Sequence, residues 1–161
     1  MFVRTASERD LQEASRLIGE SLHAAYDAFY GVDMVGSIAK ALYSCEALKN
    51  AMNRPLSEFL VADDGEAIAG VAFAAAPDDN DRVVDVLGLY VRPALQGHGI
   101  GGMLLQEMED SFFETERIRL EVDARNLRAL GFLEGEGYER RGQRREERLQ
   151  ATLVTLDKSL V

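Results

Sequence analysis

Gln96-Gly97-His98-Gly99-Ile100-Gly101-Gly102 places four glycines in six positions. The segment joins an apolar run that ends at Val91 to a run with Leu104, Leu105, Met108 and Phe112 at helical spacing. Backbone without Cβ atoms approaches a ligand closely and takes φ > 0 at little cost. A helix beginning there turns its unpaired amides and the positive end of its dipole toward an anion. The chemistry of this segment is therefore phosphate binding. A Walker A loop needs Lys and then Ser or Thr after its last glycine, and Met103 and Leu104 stand there instead. Gly97, Gly99 and Gly102 do satisfy the dinucleotide pattern G-x-G-x-x-G, with Glu121 about 20 residues beyond. Pro93 and Gln96 nevertheless separate strand from glycines, and the chain lacks the paired βαβ halves that hold a dinucleotide.

The elements that must position this loop are read from periodicity and punctuation. Phe2 to Thr5 is a short strand. Ser7 is an N-cap with Asp10 three residues on, followed by Leu11, Ala14, Leu17, Ile18, Leu22 and Ala25 at helical spacing, ending before Gly31. Further helices are predicted over Met34 to Tyr43 and Cys45 to Met52, with Arg54-Pro55 closing the last. Strands follow at Glu58–Ala62, Ala67–Ala76 and Val83–Val91, separated by turns at Asp63–Glu66 and Pro77–Asp81. Gly88 inside the third suggests a bulge. A helix to about Phe113, a strand Arg117–Val122, a helix Asn126–Glu134 and strands Tyr138–Arg141 and Thr152–Asp157 complete the order β-ααα-βββ-α-β-α-ββ. Helices interrupt the strands rather than alternating with them, which predicts an α/β fold of the α+β kind on a mixed sheet. The charge-rich run Arg140–Arg148 is expected to be a solvated hairpin or exposed strand pair.

A chain of 161 residues is expected to form one domain, 1–161. Its formal net charge of −10 argues against a nucleic-acid partner, which calls for a basic footprint. Asp63-Asp64 and Asp78-Asp79-Asn80-Asp81 read as solvated turns. Cys45 is the only cysteine, so no disulfide framework and no cysteine metal site is expected. It is expected to be a buried thiol. The first residues lack the apolar stretch of a signal peptide, and no uncharged run approaches the ~20 residues of a membrane span. A cytoplasmic location is expected, with no membrane partner. A homodimer is left open.

Gln96-Gly97-His98-Gly99-Ile100-Gly101, following a strand that ends Leu89-Tyr90-Val91-x-Pro93, resembles the acetyl-CoA pyrophosphate loop of the GNAT family of N-acetyltransferases. Asn126-x-Arg128-Ala129-x-x-Phe132-x-Glu134-x-x-Gly137-Tyr138 is similar to the second signature of that family, with Leu120-Glu121-Val122 upstream of it. The matches cover Val83 to Tyr138. The resemblance implies the GNAT fold, a mixed and mostly antiparallel sheet splayed at the acetyl-CoA site and flanked by helices. It implies acetyl-CoA as cosubstrate, no metal, and a primary amine of a small molecule or a peptide N-terminus as acceptor, attacked directly.

Residue by residue, the resemblance assigns the backbone of Leu89, Tyr90 and Val91 to the pantetheine arm, in the manner of strand addition. The bulge at Gly88 would create the splay, and a backbone N–H there would polarise the acetyl carbonyl. Gln96, Gly97, His98, Gly99, Ile100 and Gly101 fall to the pyrophosphate. Asn126 falls to the pantetheine end, a role compatible with a plain N-cap. An aliphatic ammonium has a pKa near 10.4, so a base is wanted. Asp85, which interrupts an apolar strand, is the first candidate. Glu121, at the position used by ribosomal-protein alanine acetyltransferases, is the second. Either carboxylate also has a purely structural reading, Asp85 on the polar face of its strand and Glu121 beside Arg119 and Asp123. The usual acid of the family, a Tyr before the Glu of the second signature, is replaced by Leu133. Tyr90 and Tyr138 are near in sequence but have no supported acid role. The acceptor falls to the N-terminal helices, where His23, Tyr26, Phe29, Tyr30 and Tyr43 lie, with Tyr26, Phe29 and Tyr30 as the candidates for cation–π contact. The alternative activity is a catalytically weak module that binds acyl-CoA for sensing.

Overall fold

A computed structural model describes residues 1–80 and 82–161. The predicted turn over Pro77–Asp81 therefore reaches one residue, Asp81, that lies outside the described residues. The elements are β1 (Phe2–Thr5), α1 (Leu11–Tyr30), α2 (Val32–Leu42), α3 (Cys45–Met52), β2 (Ser57–Asp63), β3 (Ile68–Ala75), β4 (Val83–Val91), α4 (Ile100–Ser111), β5 (Arg117–Asp123), α5 (Leu127–Gly135), β6 (Glu139–Glu146) and β7 (Ala151–Ser159). The seven strands are ordered β1-β2-β3-β4-β5-β7-β6. The β4–β5 pair is parallel, and β1–β2, β2–β3, β5–β7 and β6–β7 are antiparallel. This is the mixed α/β architecture that the order of elements implies.

The chain forms two compact units, and β4 contributes to both. The first comprises Met1–Ala75 and Leu87–Ser111. Its core joins Leu11, Ala14, Leu17, Ile18 and Leu22 of α1 to Val35, Leu48, Phe59, Val61, Val71 and Phe73. All the apolar positions anticipated on α1 are buried except Ala25, which is half-buried in the last turns. Ahead of α1, a single 3-10 turn covers Glu8–Asp10, and the Asp10 carboxylate accepts from the Ser7 N–H at 2.8 Å. Arg4 clamps the same carboxylate with bonds of 2.8 and 2.9 Å. Every residue of β3 is buried, and both α1 and α4 pack on it. Small side chains make that possible. A Cβ at Gly70 would meet Leu104 Cδ1 at 2.9 Å, so α4 reaches the sheet only over a glycine.

The second unit comprises Ala76–Val86 and Phe112–Val161. Ile118, Leu120, Val122, Val154 and Leu156 form its buried side, together with Leu130, Leu133 and Tyr138. The alternate residues of β5, Arg117, Arg119, Glu121 and Asp123, carry charge, as a period of two allows. β6 is longer than its sequence pattern suggests. Tyr138–Arg141 was the expected strand, but pairing with β7 runs from Glu139 to Glu146. Backbone pairing to an ordered neighbour holds a run whose residues are almost all exposed. Cys45 corrects another expectation, because the thiol is exposed. It opens α3 directly after the N-cap Ser44, whose Oγ accepts from the Ala47 N–H at 3.2 Å, and the first turn of α3 lies at the surface. α2 begins at Val32 rather than Met34 because Gly31, at φ 85°, breaks the chain only briefly before the next helix.

Candidate active site

The glycine loop belongs to the first unit. After β4 a short 3-10 turn, Pro93–Leu95, precedes Gln96. Gln96 Nε2 donates to the Val91 carbonyl at 3.3 Å, tying the loop back to the strand end. Arg92 pins the same end, since its N–H donates to the Ala69 carbonyl at 2.9 Å and its guanidinium to the Ile68 carbonyl at 2.6 Å. Gly97 and Gly99 have φ of 84° and 83°, in the left-handed region that a side chain makes costly. The His98 ring turns back on the loop, with Nδ1 3.0 Å from the Leu95 carbonyl oxygen. Ile100 and Gly101 open α4, whose first helical bond runs from the Met103 N–H to the Gly99 carbonyl at 3.1 Å. The amides before Met103 have no carbonyl one turn back in this helix. Two left-handed glycines followed by a helix N-terminus without a charged side chain suit a pyrophosphate held by backbone.

Upstream of the loop, β4 runs unbroken through Gly88. The glycine has a steric reason. A Cβ there would stand 2.4 Å from Phe73 Cε1 and 2.9 Å from a Tyr90 ring carbon. The Tyr90 ring lies edge-on to Tyr43 with centroids 5.5 Å apart, and its hydroxyl donates to the Tyr43 hydroxyl at 2.9 Å. Burial pushes the Tyr90 phenol well above its ordinary value, and the neighbouring Tyr43 adds to the shift. Leu89 and Val91 are half-buried.

The two carboxylates lie in the second unit, and both are engaged by arginine. The Asp85 oxygens accept from Arg119 Nε and, at 3.4 Å, from Nη2. Asp85 raises the Arg119 guanidinium above its usual range through that hydrogen bond. Glu121 accepts from Arg144 at 2.6 and 2.9 Å, so the anticipated partners Arg119 and Asp123 are not the ones that hold it. Asp85 and Glu121 differ in strand context. The β4–β5 register pairs Val83 with Arg117, Val84 with Ile118 and Asp85 with Arg119. Asp85 is thus inside the paired stretch, and Glu121 lies two residues past it while still paired to β7 through Thr155.

Asn126 caps α5, its Oδ1 accepting from the Ala129 N–H at 3.1 Å. At the other end of α5 the Tyr138 N–H returns to the Leu133 carbonyl at 3.0 Å. This turn explains the Gly137-Tyr138 pair of the signature, and it buries Tyr138 beneath Lys158 Nζ, 5.7 Å from the ring centre. Leu133 is buried. On α1, His23, Tyr26, Asp27 and Tyr30 share one stripe. Tyr26 and Tyr30 rings are 5.9 Å apart, and His23 Nδ1 lies 2.7 Å from Asp27 Oδ1. Phe29 is exposed beside Tyr30.

Gly70, Arg92 and Arg144 act through neighbours distant in sequence, and only a sheet register reveals them. A groove of about 420 Å³ is lined by Arg9, Glu13, Arg16, Glu20, Glu66 and Arg92, and it includes none of the residues assigned to cosubstrate or acceptor. Among the described residues no cluster of His, Cys, Asp or Glu is placed to hold a metal ion, and no helix is long and apolar enough to cross a membrane.

Comparison with known proteins gives the family of the chain. The model of the acetyltransferase (GNAT) family matches residues 20–138, and the chain belongs to that family. It is an acetyl-CoA-dependent N-acetyltransferase, with acetyl-CoA as cosubstrate. No curated protein matches the sequence. Among solved structures, the chain is similar to the PaiA N-acetyltransferase from Thermoplasma acidophilum in complex with coenzyme A, at 22% identity and a TM-score of 0.87, covering 98% of each chain. It is similar to an aminoglycoside 6'-N-acetyltransferase complexed with coenzyme A, at 17% identity and a TM-score of 0.76, covering 100% of this chain and 98% of the other. It is also similar to the ribosomal-protein-S18-alanine N-acetyltransferase from Escherichia coli, at 16% identity and a TM-score of 0.73, covering 99% and 93%. At these identities the likeness is one of fold.

Proposed function

We propose that the protein moves the acetyl group of acetyl-CoA to a primary amine of a small molecule or a peptide N-terminus by direct attack. The observation that carries this reading is the loop. Gly97 and Gly99 are left-handed, and α4 opens with amides that have no partner one turn back. In this reading Gln96 to Gly101 hold the pyrophosphate, and the backbone of Leu89, Tyr90 and Val91 flanks the pantetheine arm. Asn126, already the cap of α5, is the residue that the family signature assigns to the far end of that arm. Acetyl-CoA supplies the activated acyl group when bound. The similar proteins are named for amine acceptors of both kinds, an aminoglycoside and the alanine of a ribosomal protein.

The acceptor nitrogen must shed a proton as it attacks. Glu121 is better supported than Asp85 for that role. Asp85 lies four residues before Leu89, roughly 13 Å along the strand, within the paired part of β4 and β5. Glu121 stands beyond the last pair. Tyr26, Phe29 and Tyr30 remain the acceptor candidates, where aromatic faces would receive a cation. The protein is proposed to work in the cytoplasm without nucleic-acid or membrane partners, as one domain, monomeric or as a homodimer.

A second reading is kept by one observation, the buried Leu133 where the family usually has a tyrosine acid. It makes the protein an acyl-CoA-binding module with little turnover. Thiol release from acetyl-CoA, measured over polyamines, amino acids, aminoglycosides and N-terminal peptides, separates the two. Turnover with at least one acceptor is expected. Tight acetyl-CoA binding with no acceptor used would favour the module. A thermal shift with NAD but not with acetyl-CoA would overturn both.

A further inference from the structure

Leu133 cannot protonate a departing thiolate, yet a phenol pair that the proposed mechanism leaves unused joins β4 to the end of α2. Tyr90 Oη donates to Tyr43 Oη at 2.9 Å. Tyr43 is also edge-on to Phe73, with centroids 6.4 Å apart, and Phe73 fills the space at Gly88 where a Cβ would clash. Tyr43 therefore packs on the Gly88–Tyr90 segment of β4. Its backbone is fixed at the end of α2, where Ser15 Oγ donates to the Tyr43 carbonyl at 2.6 Å. The two hydroxyls are not equivalent. In this pair Tyr90 donates and Tyr43 accepts. A hydroxyl that accepts from Tyr90 keeps its own proton for another acceptor, and the phenolate left behind would retain the Tyr90 hydrogen bond. Among the described residues Tyr90 is the one hydrogen-bond partner of the Tyr43 hydroxyl.

We propose that Tyr43 is the proton donor to the departing CoA sulfur, supported by Tyr90, in place of the tyrosine missing at Leu133. The proposal rests on the reading that Leu89 to Val91 flank the pantetheine arm. The acceptor nitrogen forms the C–N bond, and the C–S bond breaks with its electron pair going to sulfur. Tyr43 Oη gives its proton to that sulfur, yielding the free thiol. The nitrogen releases one proton to the base, and Tyr43 regains one from solvent, so protons balance over the cycle.

The test compares Tyr43→Phe and Tyr90→Phe in the full chain, by turnover and by calorimetric binding of acetyl-CoA, CoA and desulfo-CoA. Tyr43→Phe is expected to lower turnover about 100-fold, the usual scale of general acid catalysis. Its acetyl-CoA affinity should hold. Its preference for CoA over desulfo-CoA should shrink by about fivefold, as for one lost hydrogen bond. Tyr90→Phe should cost about tenfold in turnover, because Tyr43 keeps its proton. A merely structural pair predicts equal losses, since each variant deletes the same mutual bond. Equal losses, or a Tyr43→Phe protein with unchanged turnover and unchanged CoA preference, overturn the proposal alone. A wild-type protein that fails to bind acetyl-CoA overturns the cosubstrate reading and this proposal with it.

Discussion

Gln96–Gly101 and the strands β4, β5, β6 and β7 handle charge in opposite ways. The loop offers no charged side chain, only left-handed glycines and the amides that open α4. The strands offer side chains in ion pairs, Asp85 with Arg119, Glu121 with Arg144, and Asp157 between Arg117 and Arg141. Backbone amides are fixed by the fold and cost nothing to reorganise when an anion arrives. Paired side chains must give up a partner before they can take a proton. In the proposed reading the loop is a binding device, the paired face is mainly structural, and the member of it at the edge of the paired strands is recruited to chemistry.

That contrast is sharpest at the carboxylates. Glu121→Gln is expected to lower turnover about 100-fold with acetyl-CoA affinity unchanged, and Asp85→Asn less than about tenfold, in steady-state kinetics against calorimetry. The reverse order would return the base to Asp85. A carboxylate–arginine pair in the first unit supplies the structural control. Asp10 is held down to about 2 by the Arg4 hydrogen bonds, against burial. Its folded value is below the ordinary 3.8. The stabilisation is therefore complete above pH 3.8 and lost as pH falls through about 2. Asp10→Asn should cost about 2 kcal/mol at pH 7 in urea unfolding, a penalty that fades at low pH, with no change in KM. A change in acetyl-CoA affinity would mean that this end of the molecule is not purely structural.

The loop itself is probed by Gly99→Val. A Cβ at Gly99 meets no atom within 4 Å, so the penalty comes from φ 83° and from the space a ligand needs. Acetyl-CoA binding should weaken about tenfold or more, with the circular dichroism of the fold retained. Unchanged affinity would remove the loop from the site. The smallest effect is expected from Arg144→Gln, which frees the oxygens of Glu121. Arg144 and Glu121 are both substantially exposed, so stability should move by less than about 1 kcal/mol and turnover by no more than about threefold. A collapse of activity would show that the pair positions Glu121.

Much of this was legible from residues in sequence order. α1 follows from apolar spacing, the loop from its glycines, and α5 from Asn126 and the Gly137-Tyr138 ending, because each depends on contacts within a few residues. β6 extends past the Tyr138–Arg141 pattern because Gly142 to Glu146 carry no buried alternation and are held by β7 instead. Residue type favours a buried Cys45, whereas the surface position of the first turn of α3 is set by packing beyond that helix. The arginine partners of Asp85 and Glu121 come from β5 and β6, and nothing local announces them.

The sequence by itself carried the ligand class, because the Gln96–Gly101 loop and the Asn126 to Tyr138 signature, whose resemblance implies acetyl-CoA, are each runs of neighbouring residues. Only the tertiary structure decided which carboxylates are paired, why Gly88 must lack a side chain, and that Tyr43 meets Tyr90. Those facts depend on strand register and on rings brought together from distant positions, and no spacing along the chain encodes such distances.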